Sequence, residues 1–416
     1  MDDKMRTDAS TIIETVIAEN MPEKAVEDAL RNHEFSGNIY LVAIGKAAWT
    51  MASAASSFLG ERLKKGLVIT KYDHAQGPLP RVEIIEAGHP VPDENSILGT
   101  EKALELAARL TAEDELIFLI SGGGSALFEK PRDGVTLADL QDITSQLLAV
   151  GADIVEINMV RKRLSAVKAG RFAEICAPAK VFCIILSDVL GDRLDSIASG
   201  PLSPDLSTVS DAEKVVQTYA LNLTERQRLY LSEETPKEVV GVKTLIMGSV
   251  RTLTRSAAEC ALKLGYTPYI LTNSLNCEAS EAGRFFASIA QDIHKGESTF
   301  KRPCAIIAGG ETVVTLKGSG KGGRNQELSL SAAQGIKDLS DTLIFSLGSD
   351  GTDGPTDAAG GIADGETVDK LKSMSIDIEK SLADNDSYHA LKAIDALIMT
   401  GPTGTNVNDV VVLLCG

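Results

Sequence analysis

Short aliphatic runs of strand length recur through the chain, among them IYLVAI (39–44), GLVIT (66–70), LIFLI (116–120), VFCIIL (181–186), AIIAGG (305–310) and VVVLL (410–414). Between them lie longer stretches whose apolar positions return every three or four residues, the period of a half-buried helix. Ile12, Ile13, Val16 and Ile17, then Ala25, Val26, Ala29 and Leu30, predict a helical pair broken at Met21-Pro22. The regular exchange of strand-like and helix-like segments predicts an α/β protein with a parallel sheet over the first half. A turn-rich stretch begins at Gly200, and Glu233–Pro236 reads as a linker. Two domains are therefore expected, 1–235 and 236–416.

The stretch 309–328, GGETVVTLKGSGKGGRNQEL, is the most informative. An apolar run, Thr312–Leu316, predicts a strand that enters a Gly/Ser/Lys loop, and helix formers follow from Arg324. Glycine permits positive φ and close approach of a ligand to peptide N–H groups. A helix N-terminus adds free N–H groups and partial positive charge, so the junction suits an anion. Lys317, Lys321 and Arg324 supply cations beside Gly318, Gly320, Gly322 and Gly323. The loop fits G-x-G-x-x-G, a dinucleotide fingerprint that is weak by itself. A Walker A loop is excluded, because Arg324-Asn325 stands where Lys-Ser/Thr is required.

Other strand ends carry similar chemistry. Gly45-Lys46 follows the first strand, and in parallel sheets ligands gather at carboxyl ends of strands. Ser121, Gly122, Gly123, Gly124 and Ser125 form a second candidate anion loop, but no nucleophile elbow, since Leu127 replaces the last glycine of G-x-S-x-G. Asp188 ends VFCIIL. Asp350, Asp353 and Asp357 lie in SDGTDGPTD, which fails the calcium-loop pattern because no glutamate falls at its twelfth position. Asx turns account well for Asp353 and Asp357 and less well for Asp350. The cationic segment at Arg161, Lys162, Arg163 and Lys168 reads as an exposed helix face or a lid. Several carboxylates beside a polyphosphate would repel by about 4 kcal/mol per pair at about 4 Å. Either the two loops lie far apart, or Mg²⁺ and the basic residues neutralise the site, the usual arrangement for phosphoryl transfer.

The formal net charge of −17 over 416 residues excludes a nucleic acid or anionic membrane partner, both of which need a basic face. MDDKMRTDAS has no apolar leader, and the aliphatic runs are too short to span a bilayer. A cytoplasmic protein is expected. Six scattered cysteines read as reduced, mostly buried residues, and five histidines lack metal-ligand spacing.

Together IGKAAW, AGHPVPDEN, SGGGSALFE, ILSDVLGD, IASGP, GGETVV, GGRNQE, GSDGTDGPTDAAGG and TGPTGTNVND resemble the glycerate 2-kinase family with a MOFRL-type C-terminal domain. The resemblance runs through essentially the whole chain. It implies a Rossmann-like three-layer N-terminal domain with a parallel sheet, a distinct mixed-sheet α/β C-terminal domain, and ATP-dependent phosphorylation of D-glycerate at its 2-hydroxyl, with Mg²⁺, at a site in an interdomain cleft. Position by position, it places functional residues at Lys46, Arg324 and Asp350. Asp188 and Glu311 are candidates for Mg²⁺ or substrate contact. The two glycine loops and Asn408 are candidates for holding nucleotide or glycerate. The expected partners are thus small molecules, with self-association left open. Two alternatives remain, an NAD(P)-dependent hydroxypyruvate reductase and a non-catalytic sensor of carboxylates or nucleotides.

Overall fold

A computed structural model describes residues 3–416. The chain divides into two compact units, Pro22–Met247 and, together, Met1–Met21 and Gly248–Gly416.

In the first unit, strands β1 (Asn38–Ile44), β2 (Leu63–Lys71), β3 (Val82–Ala87), β4 (Asp114–Ile120), β5 (Lys180–Leu186) and β6 (Val242–Gly248) form one sheet in the order β3-β2-β1-β4-β5-β6. Strands β1 to β5 pair in parallel. β4 is buried along its whole length and reads as a continuous apolar run, as a strand covered on both faces must. The order reverses between β1 and β4, the point at which a Rossmann-type sheet opens a crevice for a ligand. Phe118, Phe128 and Phe172 pack edge to face beneath the loops that leave this end. A satellite core joins Leu140, Ile143 and Leu147 to Val160, Leu223 and Tyr230.

In the second unit, β7 (Thr267–Leu275), β8 (Cys304–Gly310), β9 (Thr342–Gly348), β10 (Gly360–Asp364), β11 (Leu397–Ile398) and β12 (Asp409–Cys415) follow the order β11-β10-β9-β12-β8-β7. Only β7 and β8 pair in parallel, and β12 runs antiparallel to both its neighbours, β8 and β9. The sheet is mixed, as expected. No helix among the described residues is long and apolar enough to cross a membrane. Five of the six cysteines are buried and Cys277 is exposed.

Four details differ from the expectations. The division does not fall at 235/236, because the Glu233–Pro236 stretch is tied back into the first unit. Thr235 Oγ1 donates to the buried Asp205 at 3.0 Å, and the Asp205 N–H donates to the carbonyl of Pro236. β6 then extends the first sheet. The first helix, Asp3–Glu19, belongs with the second unit. Its Asp8 accepts from the Tyr266 hydroxyl at 2.9 Å, and its Arg6 reaches the fully buried Asp364. Thr312–Leu316 is no strand. Val313 makes one bridge to Glu278, and Leu316 is 79% exposed. Finally, Lys162 and Arg163 are buried instead of facing water. Lys162 Nζ lies 3.5 Å from Asp205, and Arg163 donates to the hydroxyl and carbonyl of Ser207 at 2.9 and 3.0 Å. Helical spacing could not reveal this, since the partners come from a distant loop.

The Arg6–Asp364 pair gives a direct test. Burial raises the Asp364 carboxyl, but hydrogen bonding and charge from Arg6 outweigh it, and the net shift is downward. A depressed carboxyl stabilises above its unfolded pKa and loses that contribution as pH falls through the folded value. Arg6→Ala should cost about 2 kcal/mol at pH 7, because the buried Asp364 loses its guanidinium hydrogen bonds and keeps Lys370 at 3.8 Å and the donors of Thr367 and Glu366. Thermal unfolding at pH 7 should show that deficit, which should vanish below the ordinary carboxylate range.

Candidate functional site

In the second unit the site grows from three strand ends. β12 opens on Asp409, whose partners across the sheet are Gly310 at the end of β8 and Gly348 at the end of β9. A Cβ at Gly348 would meet the Thr352 carbonyl at 3.0 Å and lie 3.4 Å from Oδ1 of both Asp350 and Asp409, so these two carboxylates border one small space. Arg324, first residue of the helix Arg324–Gly335, enters the same place. Its Nε and Nη2 donate to the two oxygens of Asp409 at 2.6 and 3.1 Å, and its Nη1 donates to Glu311 Oε1 at 2.8 Å. Burial alone would lower the Arg324 pKa. The hydrogen bonds and charge of Asp409, then Glu311 and Asp353, reverse that and raise it. Burial pushes the Asp409 carboxyl up to about 6 against the opposing pull of Arg324.

The three aspartates have separate positions. Asp350 is half-buried, its Oδ1 accepts the Thr352 N–H at 3.0 Å, and its carbonyl accepts the N–H of Thr403. Asp353 is buried under the helix that carries Arg324. It accepts the N–H groups of Asn325 and Gln326 at 3.2 and 2.9 Å, so it caps that helix from a separate loop. Burial raises its carboxyl. Asp357 accepts from the Tyr388 hydroxyl at 2.7 Å.

The Lys317–Gly323 loop does not present a ring of free amides. The N–H groups of Lys317 and Gly318 donate to Asn385, that of Ser319 to Asp384, and that of Lys321 to Asp386, while Gly320 N–H donates to the Asp384 carbonyl. Its glycines make room for protein. A Cβ at Gly318 or Gly320 would strike the Asp384–Asp386 segment, one at Gly322 the Ser387 hydroxyl, and one at Gly323 the Asp353 carboxylate. Lys321 Nζ sits 4.5 Å above the Tyr388 ring. The G-x-G-x-x-G match therefore lacks both the preceding strand and the open amides that the dinucleotide fingerprint requires. Lys317 remains exposed.

Asn408 precedes Asp409 with φ +69°, a left-handed conformation unusual for a residue with a side chain. Its Nδ2 is buried and has no hydrogen-bond partner among the described residues, as is also true of Thr405 Oγ1 in the same loop. Buried polar groups left unmatched are uncommon and mark places where a ligand can complete the set.

In the first unit, Gly45-Lys46 and Ser121–Ser125 leave β1 and β4 on either side of the switch point. Ser121 is buried and stitches the two ends together: its Oγ accepts the Ala47 N–H at 3.0 Å and lies 3.3 Å from the Ile44 carbonyl. Gly122 and Gly124 are also buried, so Gly123 and Ser125 are the partly exposed members. A Cβ at Gly122 would lie 2.3 Å from Asp188 Oδ2, and one at Gly123 would meet the His89 ring and Lys46 Cγ. Lys46, His89, Asp188 and the glycine loop are thus neighbours at one end of the sheet. Burial, then the Lys46 charge, lowers the His89 pKa to about 4, which keeps the ring neutral at pH 7. Underneath, the fully buried Lys168 donates to the carbonyls of Ser125 and Phe128 at 2.8 and 3.1 Å.

Sequence reasoning passed over His89 and Asp409. His89 stands in a proline-rich loop without metal spacing. Asp409 showed one usable signal, a carboxylate at the mouth of a fully buried strand. Among the described residues no group of three His, Cys, Asp or Glu side chains is placed to hold a metal. Glu311 and Asp188 can each supply one carboxylate.

Residues 8–232 match a family model described as a domain of unknown function, and residues 304–409 match the MOFRL family model. D-glycerate 2-kinase from Thermotoga maritima is 51% identical over 404 residues, covering 97% of each chain. Glycerate 2-kinase from Pyrococcus horikoshii is 44% identical over 395 residues, covering 92% of this chain and 89% of that one. The crystal structure of glycerate kinase from Thermotoga maritima matches with a TM-score of 0.96 at 50% identity, over 100% of both chains. A provisional hydroxypyruvate reductase name occurs among the relatives as well, on an Agrobacterium vitis protein 40% identical over 97% of this chain and 93% of its own. The chain belongs to the glycerate 2-kinase family.

Proposed function

We propose that this chain transfers the terminal phosphoryl group of ATP to the 2-hydroxyl of D-glycerate, giving 2-phosphoglycerate and ADP. One observation carries the chemistry: Asp409, which together with Glu311 fixes Arg324, and Asp350 both border the Cβ position of Gly348, so a fixed guanidinium and a half-buried carboxylate share one strand end. Phosphoryl transfer needs a positioned hydroxyl, a group to receive its proton, and fixed positive charge near the moving phosphoryl. Asp350 takes the hydroxyl proton as the substrate oxygen bonds to the γ-phosphorus and the bond to the β–γ bridging oxygen breaks. Arg324 neutralises charge on the carboxylate or the phosphoryl group. Asn408, with its orphaned Nδ2, contacts the bound substrate, and Lys46 supplies a cation for an anionic substrate group at the strand ends of the first unit.

Mg²⁺ enters with the nucleotide as part of the substrate. It usually takes only one or two protein carboxylates when phosphates complete its shell. Glu311, which spends one oxygen on Arg324, and Asp188, packed against Gly122, are its candidate ligands.

Incubation with D-glycerate and ATP should yield ADP and one new phosphomonoester, which phosphorus NMR should locate at carbon 2. A glycerate-independent release of ADP, or an absorbance change at the nicotinamide band with hydroxypyruvate, would overturn the reading. Asp350→Asn should lower kcat on the order of a hundredfold with little change in thermal midpoint. Arg324→Lys keeps the charge but loses the fork on Asp409, so kcat/KM should fall by roughly tenfold or more.

Acid should separate activity from stability. The Asp409 carboxyl titrates near 6 in the fold, above the value of about 3.9 in an unfolded chain. Its contribution to stability is therefore complete below the unfolded value and lost as pH rises through 6. Over the same interval, acidification removes the ionic anchor of Arg324. A pH profile of kcat/KM should fall on its acid side with an apparent pKa near 6 while the thermal midpoint holds. A flat profile between pH 7 and 5 would remove Asp409 from the mechanism.

A further inference from the structure

The first unit holds a cavity of about 370 Å³ that none of the residues assigned above occupies. Pro90, Pro92, Leu140 and Leu148 form its apolar walls, with the Thr144 hydroxyl and Arg161 among them. The size and the few convergent polar groups are those of a small-molecule pocket. Two features show that it is more than a surface dent. Gln141 Nε2 donates to the Pro92 carbonyl at 3.3 Å, tying the helix Leu137–Ala149 to the proline loop across the cavity. Arg161 Nε is closed off from water and has no hydrogen-bond partner among the described residues. The carboxylate paired with Arg161, on the buried Glu129, stands 3.9 Å from Nη2, at the limit of an ion pair. A buried guanidinium donor without an acceptor is costly unless a ligand supplies one.

Neighbouring residues link the cavity lining to the strand-end site. Pro90 follows His89, whose ring lies against Gly123. Asn158 lies one turn before Arg161 on the helix Ile154–Leu164, and its Oδ1 accepts from Ser199 Oγ at 3.4 Å. Ser199 Oγ in turn lies 2.7 Å from Ser125 Oγ. A ligand that fills both places has an anionic end at Lys46 and Ser125 and a flat, largely apolar body between the prolines and Leu148. Glycerate has no such body. A purine nucleotide has both parts.

Resting on the kinase reading above, we propose that this cavity takes the base and ribose of the nucleotide. Its phosphates then extend toward Lys46 and the Ser121–Ser125 loop, and glycerate is left to the residues around Arg324 and Asp350.

Two experiments test this. Thr144→Trp fills the cavity without touching the strand-end residues. It should raise KM for ATP at least tenfold, leave KM for glycerate within twofold, and retain kcat at saturating ATP. Irradiating the unaltered protein with 8-azidoadenosine triphosphate should label peptides spanning 90–92 or 140–148, with protection by ATP and none by glycerate. A Thr144→Trp enzyme with unchanged KM for ATP, or labelling confined to residues 304–409, would overturn the assignment. If the unaltered protein forms no phosphoglycerate, the kinase reading falls, and the label alone then decides whether the cavity is a nucleotide site.

Discussion

A guanidinium left one-third exposed at the end of a sheet cannot be held by packing, and in this protein it is held by charge. Arg324 uses its fork on both oxygens of Asp409 and its remaining nitrogen on Glu311. Bidentate pairing fixes direction as well as distance, which a lysine could not do. At the ends of β8, β9 and β12 two glycines stand opposite Asp409; a Cβ on Gly348 would lie 3.4 Å from its Oδ1, whereas the space at Gly310 is filled by the Leu275 backbone.

The helix behind Arg324 needs its own anchor. Its first N–H groups have no partners inside the helix, and Asp353 supplies a carboxylate from the loop after β9. One loop therefore contributes Asp350 to the space beside Arg324 and Asp353 to the helix beneath it. Asn325 is held too, its Oδ1 accepting from Ser346 Oγ at 2.6 Å. Glu327 accepts from Asn385, and burial raises its carboxyl. The RNQE segment combines the guanidinium of Arg324 with three side chains that lock the surrounding loops.

The first unit uses a different device. Its parallel strands release their loops at the switch point between β1 and β4, and a buried hydroxyl and a buried ammonium fix those loops from below. Ser121 and Lys168 face inward, so the surface left for chemistry is made by their neighbours. The neutral state of His89 follows from burial beside Lys46, since a second positive charge there would be repelled.

The order of elements and the cluster of chemistry at strand ends were legible in the residue pattern, because burial dictates hydrophobic period and strand termini dictate glycine; the mixed second sheet came only with the family resemblance, since period does not encode strand direction. The motifs around Lys46, Arg324 and Asp350 were legible too, as local strings. The rest depended on contacts between segments far apart in the chain. Whether a glycine opens space for a ligand or for an aspartate, as at Gly323, is decided by which loop folds over it. The KGSGKGG loop looked like an anion cradle until Asp384–Asp386 occupied its amides. Lys162 and Arg163 looked solvated until Asp205 and Ser207 met them in the interior. A side chain's type and spacing set what it can bind, but only the tertiary structure decides which partner reaches it first, since hydrogen bonds and ion pairs act over a few ångströms and carry no memory of sequence separation.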